Sequence, residues 1–249
     1  MPYFAETVDS VLSQAHDDYE YIVVDGGSTD GTIEIIQKSK KISKWISEPD
    51  DGIADAFNKG LNFATGDYIL FLNADDALAN DEVINQVAEE LSKNQYPDFL
   101  YGDCEVIDRA SSNFLYRASI DITIKDFLRG HIFPHPSTFT KRSYFTNFGK
   151  FDTKFKIAMD YEFFLRGIKE VRFIHAPILI TKVRNGGVST VSQARVVDEI
   201  IAALKKNNYL SSPLAEPSLR CYFWIRRNTR ILLSSLGIYE LFWRLLRRP

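Results

Sequence analysis

Along the first eighty residues, blocks that are apolar on both faces alternate with stretches whose apolar positions recur at helical spacing. Phe4, Val8, Val11 and Ala15 mark one face of a helix over the first fifteen residues. Tyr21-Ile22-Val23-Val24 is continuously apolar, the pattern of a strand buried on both faces of a parallel sheet. Thr29 or Asp30 can cap the helix that follows, over residues 32–40. A short segment at Trp45-Ile46 leads into the turn-rich Glu48-Pro49-Asp50-Asp51-Gly52. Ile53, Phe57, Leu61 and Ala64 then fall at helical spacing, Gly66 stops that helix, and Tyr68-Ile69-Leu70-Phe71-Leu72 forms a second buried strand.

This alternation predicts an α/β fold. Further on, Val83, Val87 and Leu91 mark a helix, residues 99–107 a strand, and residues 114–118 its hairpin partner. Residues 131–140 form a loop with two histidines and two prolines. A helix opens at Met159-Asp160-Tyr161-Glu162, and residues 171–183 read as strand interrupted at Pro177. Asn185-Gly186-Gly187 is a loop; Ala194, Val197, Ile201 and Leu204 mark a helix, and residues 219–248 read as one or two more. No internal repeat divides the chain, so one domain with a helical C-terminal appendage is expected.

The 249 residues suffice for such a domain. A net charge of −3 gives no footing for nucleic acid, yet from Arg220 onward there are seven arginines and one acidic residue, Glu240. Cys221, Ile225, Leu232 and Leu236 share one helical face there, and Arg220, Arg226, Arg227 and Arg230 another. With Tyr222, Phe223, Trp224, Phe242 and Trp243 alongside, the tail has the make-up of a helix lying on a membrane surface, or of one packed on the domain. Cys104 and Cys221 are too far apart for a metal or redox motif. Reduced thiols, no spanning-length apolar run and no signal-like N-terminus predict a cytoplasmic protein, at the inner face of the membrane if the tail binds lipid.

Chemistry collects where the buried strands end, the place where open α/β sheets bind ligands. The second strand runs into Asn73-Ala74-Asp75-Asp76. Adjacent carboxylates need a cation or hydrogen bonds, and Mg²⁺ is held by one or two carboxylates plus substrate phosphates. The plainer reading is a cap, Asp76 or Asn80, for the next helix. The first strand runs into Asp25-Gly26-Gly27-Ser28-Thr29-Asp30-Gly31, which is neither a G-x-G-x-x-G fingerprint nor a P-loop. Asp25 either accepts hydrogen bonds from a base or ribose or serves as a turn residue. Asp55, Asn58 and Lys59 lie off the apolar face of their helix, open to ligand or to solvent. Asp160, among apolar neighbours, is a candidate general base or a helix-terminal acid. His131, His135 and His175 lack metal-binding spacing.

Ser10-Val11-Leu12-Ser13-Gln14, Asp25 to Thr32, Trp45 to Ile53 and Phe71 to Asp76 together resemble family 2 glycosyltransferases, in the flavour of bacterial colanic-acid, O-antigen and capsule assembly. The likeness covers residues 1–190. It implies a GT-A fold with a mostly parallel sheet flanked by helices, residues 191–249 forming C-terminal helices. It further implies a nucleotide-diphosphate sugar donor, Mg²⁺ or Mn²⁺, a glycan or lipid-linked acceptor, and inversion at the anomeric carbon. By position, Asp25 would contact the base, Gly52 and Asn58 would line the donor pocket, and Asn73 would bond the ribose. Asp75 would bind the metal with Asp76 beside it, Asp160 would be the base, and His135 would lie on the acceptor side. Gly186 supplies no third metal ligand where the family often has a histidine. The family's first strand, which would lie between the strands at residues 21–24 and 68–72, is not in the chain. Those two strands are therefore expected not to pair, and a donor-binding module without catalysis is the alternative.

Overall fold

A computed structural model describes residues 3–119, 121–187 and 193–235. Helix α1 (Phe4–Leu12) buries Phe4, Thr7, Val8 and Val11, whereas Ala15, expected on the same face, lies beyond the helix and is exposed. Strand β1 (Ile22–Asp25) leads through α2 (Thr32–Lys38) to β2 (Lys44–Ser47), which pairs with β1 in parallel. Helix α3 (Ile53–Leu61) lies so close to β1 that a Cβ at Gly60 would stand 3.3 Å from Val24.

A second sheet holds the remaining strands: β3 (Tyr68–Ile69), β4 (Ala77–Leu78), β5 (Phe99–Ile107), β6 (Phe114–Ala118), β7 (Thr138–Lys141) and β8 (Phe173–Arg184). Their order is β3-β7-β5-β8-β4, with β6 paired to β5. β1 and β3 therefore lie in different sheets and do not pair. Among the described residues, the apolar run at residues 68–72 keeps a ladder only at Tyr68 and Ile69, against β7. The parallel pairs are β1–β2 and β5–β8, whereas β3–β7, β5–β7, β5–β6 and β4–β8 are antiparallel. The sheets are thus more mixed than a mostly parallel reading implies, because β6 returns from β5 by a short hairpin and parallel pairing needs a long crossover.

Pro177 does not end β8. The register with β5 passes from Tyr101↔His175 to Asp103↔Leu179, so a bulge absorbs the proline. Opposite it stands Gly102, where a Cβ would come within 2.6 Å of the Ile178 carbonyl oxygen.

Helices α4 (Val83–Lys93), α5 (Ile124–Leu128), α6 (Arg142–Phe148), α7 (Met159–Gly167), α8 (Gln193–Lys206) and α9 (Ala215–Ser235) complete the described chain. The largest core cluster is aromatic, joining Phe71, Phe99, Phe133, Phe151, Phe163 and Phe164. Phe163 and Phe164 project from α7, which is thereby fixed against the end of β3.

Glu162 of α7 is fully buried and accepts hydrogen bonds from Arg166 and, at 2.8 Å, from Lys206 of α8. Burial alone would raise its pKa, but the two cations outweigh burial and hold it low. Removing one partner of a buried pair strands the other charge, at a cost of about 3–5 kcal/mol. Glu162→Ala should lose stability on that scale in urea denaturation; a loss below about 1 kcal/mol, that of an exposed ion pair, would contradict the account.

Candidate active site

The two adjacent carboxylates at the end of β3 part company. Residues 73–76 form a tight turn closed by the Asp76 N–H on the Asn73 carbonyl at 3.2 Å. Asp76 points inward and is 2% exposed. Its Oδ2 accepts from Asn73 Nδ2 at 2.8 Å and its Oδ1 from the Arg184 N–H at 3.2 Å. Its carbonyl accepts from Thr7 Oγ1 of α1 at 2.7 Å. Burial, reinforced by the charge of Asp75, pushes the Asp76 carboxyl up to about 6. The expectation that Asp76 stands beside Asp75 as an open metal ligand is corrected on this point: its side chain ties the turn to β8. The helix-cap alternative for Asp76 also fails, since Glu82 is the N-cap of α4.

Asp75 points outward, its side chain 26% exposed, and forms an ion pair with Arg109 from the loop after β5. Arg184, at the end of β8, is buried and paired with Glu6. The ends of β3, β5 and β8 thus meet at one place. Neither arginine stood out in the sequence, although the polar residues directly after the apolar ends of β5 and β8 were the available signal.

Asp25 is a turn residue here. Its Oδ2 accepts from the N–H groups of Gly27 and Ser28, at 3.0 and 2.9 Å, and from Ser47 Oγ of β2 at 2.7 Å. Burial would raise its pKa, yet bonds from Ser28, Ser47 and Gly27 prevail and hold it below the usual range. Gly26 lies against the Asp50 carboxylate, joining this turn to the residues before Gly52. Gly52 has φ +109°, a left-handed value that suits glycine, and its N–H donates to Asp50 Oδ1 at 2.8 Å. Asn58 closes both ends of its amide on the backbone of Phe151, each at 2.9 Å, and so fastens α3 to the approach to α7. Among the described residues Asp25 and Asp75 share no contact; α1 joins the two regions, with Thr7 bonded to Asp76 and Val8 packed with Val23 of β1.

His135 sits in a short 3₁₀ turn (His135–Ser137), stacked on Phe71 with ring centroids 5.7 Å apart. It also touches Phe57, Phe151 and Phe164. Burial pushes it down to about 4, so the ring is neutral at physiological pH. Asp160 begins the first turn of α7, four residues before Phe164, and burial pushes its carboxyl up to about 6. Glu199 of α8 accepts the N–H groups of Lys156, Ile157 and Ala158 at 3.1, 2.9 and 2.8 Å. Glu199, a residue the sequence pattern did not single out, thus holds the N-cap residue Ala158 and the two residues before it. Asp160 accepts the Tyr161 N–H of the first turn, at 2.8 Å.

Residues 2–161 match the model of the family described as Glycosyl transferase family 2. The chain belongs to that family. It is 31% identical over 179 residues to a PGL/p-HBAD biosynthesis glycosyltransferase of Mycobacterium tuberculosis, covering 70% of this chain and 66% of the relative. The chain thus spans slightly less than two thirds of that relative's length. An uncharacterised glycosyltransferase of Haemophilus influenzae is 31% identical over 197 residues, covering 76% of this chain and 77% of the relative.

Among solved structures, S. aureus TarS 1-349 in complex with UDP-GlcNAc superposes with a TM-score of 0.66 at 17% identity, over 96% of this chain and 72% of that one. The mannosyltransferase PcManGT of Pyrobaculum calidifontis, in complex with GDP-Man and Mn²⁺, gives 0.59 at 18% identity, over 97% and 79%. The fold of this family 2 member is GT-A.

The residues present allow a divalent ion only with help. No group of three or more His, Cys, Asp or Glu side chains placed to hold a metal occurs among the described residues. Asp75 offers one outward carboxylate, which fits an ion whose other ligands are substrate phosphates.

The raised pKa of Asp76 has a signed consequence for the family 2 fold. The neutral carboxyl is favoured when folded, so its contribution is full below the unfolded value of 3.8 and is lost as pH rises through about 6. The shift corresponds to about 3 kcal/mol. Asp76→Asn should lack this dependence, and Asp160 cancels because both proteins carry it. The difference in urea stability between wild type and variant should move by about 2–3 kcal/mol between pH 4 and pH 7. Parallel pH profiles would show that Asp76 is ionised in the fold.

Proposed function

We propose that this chain transfers a sugar from a nucleotide-diphosphate sugar to a hydroxyl of a glycan or lipid-linked acceptor, inverting the anomeric carbon. The observation that carries the reading is Asp160: a carboxylate in the first turn of α7, set between Met159 and Tyr161 of the core cluster, whose burial and the nearby charge of Glu199 raise its pKa to about 6. A base near the operating pH is what removal of a hydroxyl proton requires.

In this reading the first turn of α7 presents Asp160 to the acceptor hydroxyl, on the side where His135 and its aromatic neighbours form an apolar wall. Asp160 takes the proton as the hydroxyl oxygen bonds to the anomeric carbon and the bond to the diphosphate breaks. Asp25 and Gly52 shape the base and ribose side, Asn58 holds that side to α7, and Asn73 orients the turn. Asp75 would hold Mg²⁺ or Mn²⁺, which when bound supplies charge neutralisation to the departing diphosphate. The bacterial relatives and the polysaccharide flavour of the motifs support a role in cell-surface glycan assembly.

Asp160→Asn should bind nucleoside diphosphate as wild type does and lose transfer by at least about a hundredfold. Wild-type kcat/KM should fall about tenfold per pH unit below about 6, as the base is protonated. An unchanged transfer rate in the variant would remove Asp160 from the mechanism.

The same reading places the enzyme at a membrane surface. No helix of the described residues is long and apolar enough to cross a membrane. In α9, Cys221, Trp224, Ile225 and Leu232 lie on one exposed face, flanked by exposed Arg227, while Phe223 packs toward Gly130. The described helix bears out an exposed apolar face; Leu236, Phe242 and Trp243 lie outside the described residues. Trp224→Ser with Ile225→Ser should reduce co-sedimentation with phosphatidylglycerol vesicles several-fold at unchanged Tm. Equal sedimentation of variant and wild type would leave α9 as a packing helix only.

A further inference from the structure

The outward carboxylate of the 73–76 turn already has a cation on it. The main chain of Arg109 is fixed on two sides: its N–H donates to Asn185 Oδ1 at 2.9 Å, and its carbonyl accepts from Tyr3 Oη at 2.7 Å. Nε donates to the Asn185 carbonyl at 3.1 Å, and Nη2 reaches Asp75. The guanidinium is thereby held at one edge and extended over the turn at the other, with the side chain 42% exposed. Its Nη1 has no protein partner among the described residues. Both guanidiniums lie over the Tyr3 ring, Arg184 at 4.1 Å and Arg109 at 5.8 Å, but Arg184 is buried and bonded to Glu6 and, at 2.9 Å, to Ser112. Arg184 is structural, whereas Arg109 presents a free edge where Asp75 faces outward.

We propose that Arg109 is a ligand of the donor diphosphate, its planar fork bridging Asp75 and a phosphate oxygen. The proposal rests on the nucleotide-diphosphate donor argued above. A diphosphate arriving at this turn meets the Asp75 carboxylate, so charge balance there requires cations. One metal ion on one protein carboxylate leaves negative charge over, and a guanidinium suits the remainder because it stays charged and bonds phosphate bidentately. With no diphosphate bound, the same guanidinium neutralises Asp75, so a metal ion alone finds neither a cluster of carboxylates nor an unpaired one. Metal binding should then depend on the nucleotide.

The test is calorimetric titration of wild type, Arg109→Gln and Asp75→Asn with UDP, GDP and dTDP and with the matching monophosphates, each with and without Mn²⁺. Without metal, Arg109→Gln should weaken the diphosphate that wild type binds by about tenfold or more, and the monophosphate by less than about twofold. Asp75→Asn, also without metal, should bind the diphosphate at least as tightly as wild type, because the competing carboxylate is gone. It should lose the gain from Mn²⁺. Both variants should melt with wild type. Diphosphate affinity within twofold in Arg109→Gln overturns the proposal. So does an equal metal-free loss in the two variants, which would make Arg109 a prop for Asp75. A wild type that binds none of the diphosphates, with or without Mn²⁺, overturns the donor reading and this proposal with it.

Discussion

The arrangement of the site depends on how two adjacent carboxylates are accommodated at the end of one strand. Side by side in water-poor surroundings, Asp75 and Asp76 would repel each other and each would lack solvation. The fold separates them by direction. Asp76 turns inward, where Asn73 and the Arg184 N–H satisfy it and its pKa rises toward neutrality. Asp75 turns outward, where Arg109 meets it. Because Asp76 binds the turn to β8 and its carbonyl binds α1, the outward pose of Asp75 follows from the inward pose of its neighbour.

A comparable division operates at α7. The first N–H groups of a helix need acceptors, and an acid at that end usually supplies them. Here Glu199 reaches across from α8 and takes three N–H groups of the preceding segment. Asp160 accepts the Tyr161 N–H of the first turn, and burial together with the charge of Glu199 raises its pKa despite that bond. The aromatic cluster that joins Phe71 to Phe151 and Phe164 links this helix start to the end of β3. Stability and chemistry therefore share the same elements: the rings that fill the core also set the spacing between the candidate base and the acidic turn.

Much of this was legible in the chain. The two buried runs, the helices between them and the polar residues at the strand ends follow from local periodicity and turn chemistry, which act within a few residues and need no partner. The family was legible too, because its motifs lie in contiguous stretches. The shortened β3 and the unbroken β8 were not. A two-residue ladder at Tyr68 and Ile69 depends on which strand lies alongside, and Pro177 is tolerated only because Gly102, on another strand, leaves room for a bulge.

The amino-acid sequence by itself determined where acidic and polar residues gather at the ends of apolar runs: at Asp25, at residues 73–76 and at the start of α7. Only the tertiary structure decided what each side chain does there. Whether Asp75 or Asp76 faces outward depends on Arg109 and Arg184, which reach the turn from loops and strands far along the chain. How far the Asp160 carboxyl is raised depends on burial and on the charge of Glu199, and whether Asn58 is open depends on Phe151. Orientation at a turn is set by whichever distant group supplies the missing hydrogen bond or charge, and a local pattern carries no record of that partner.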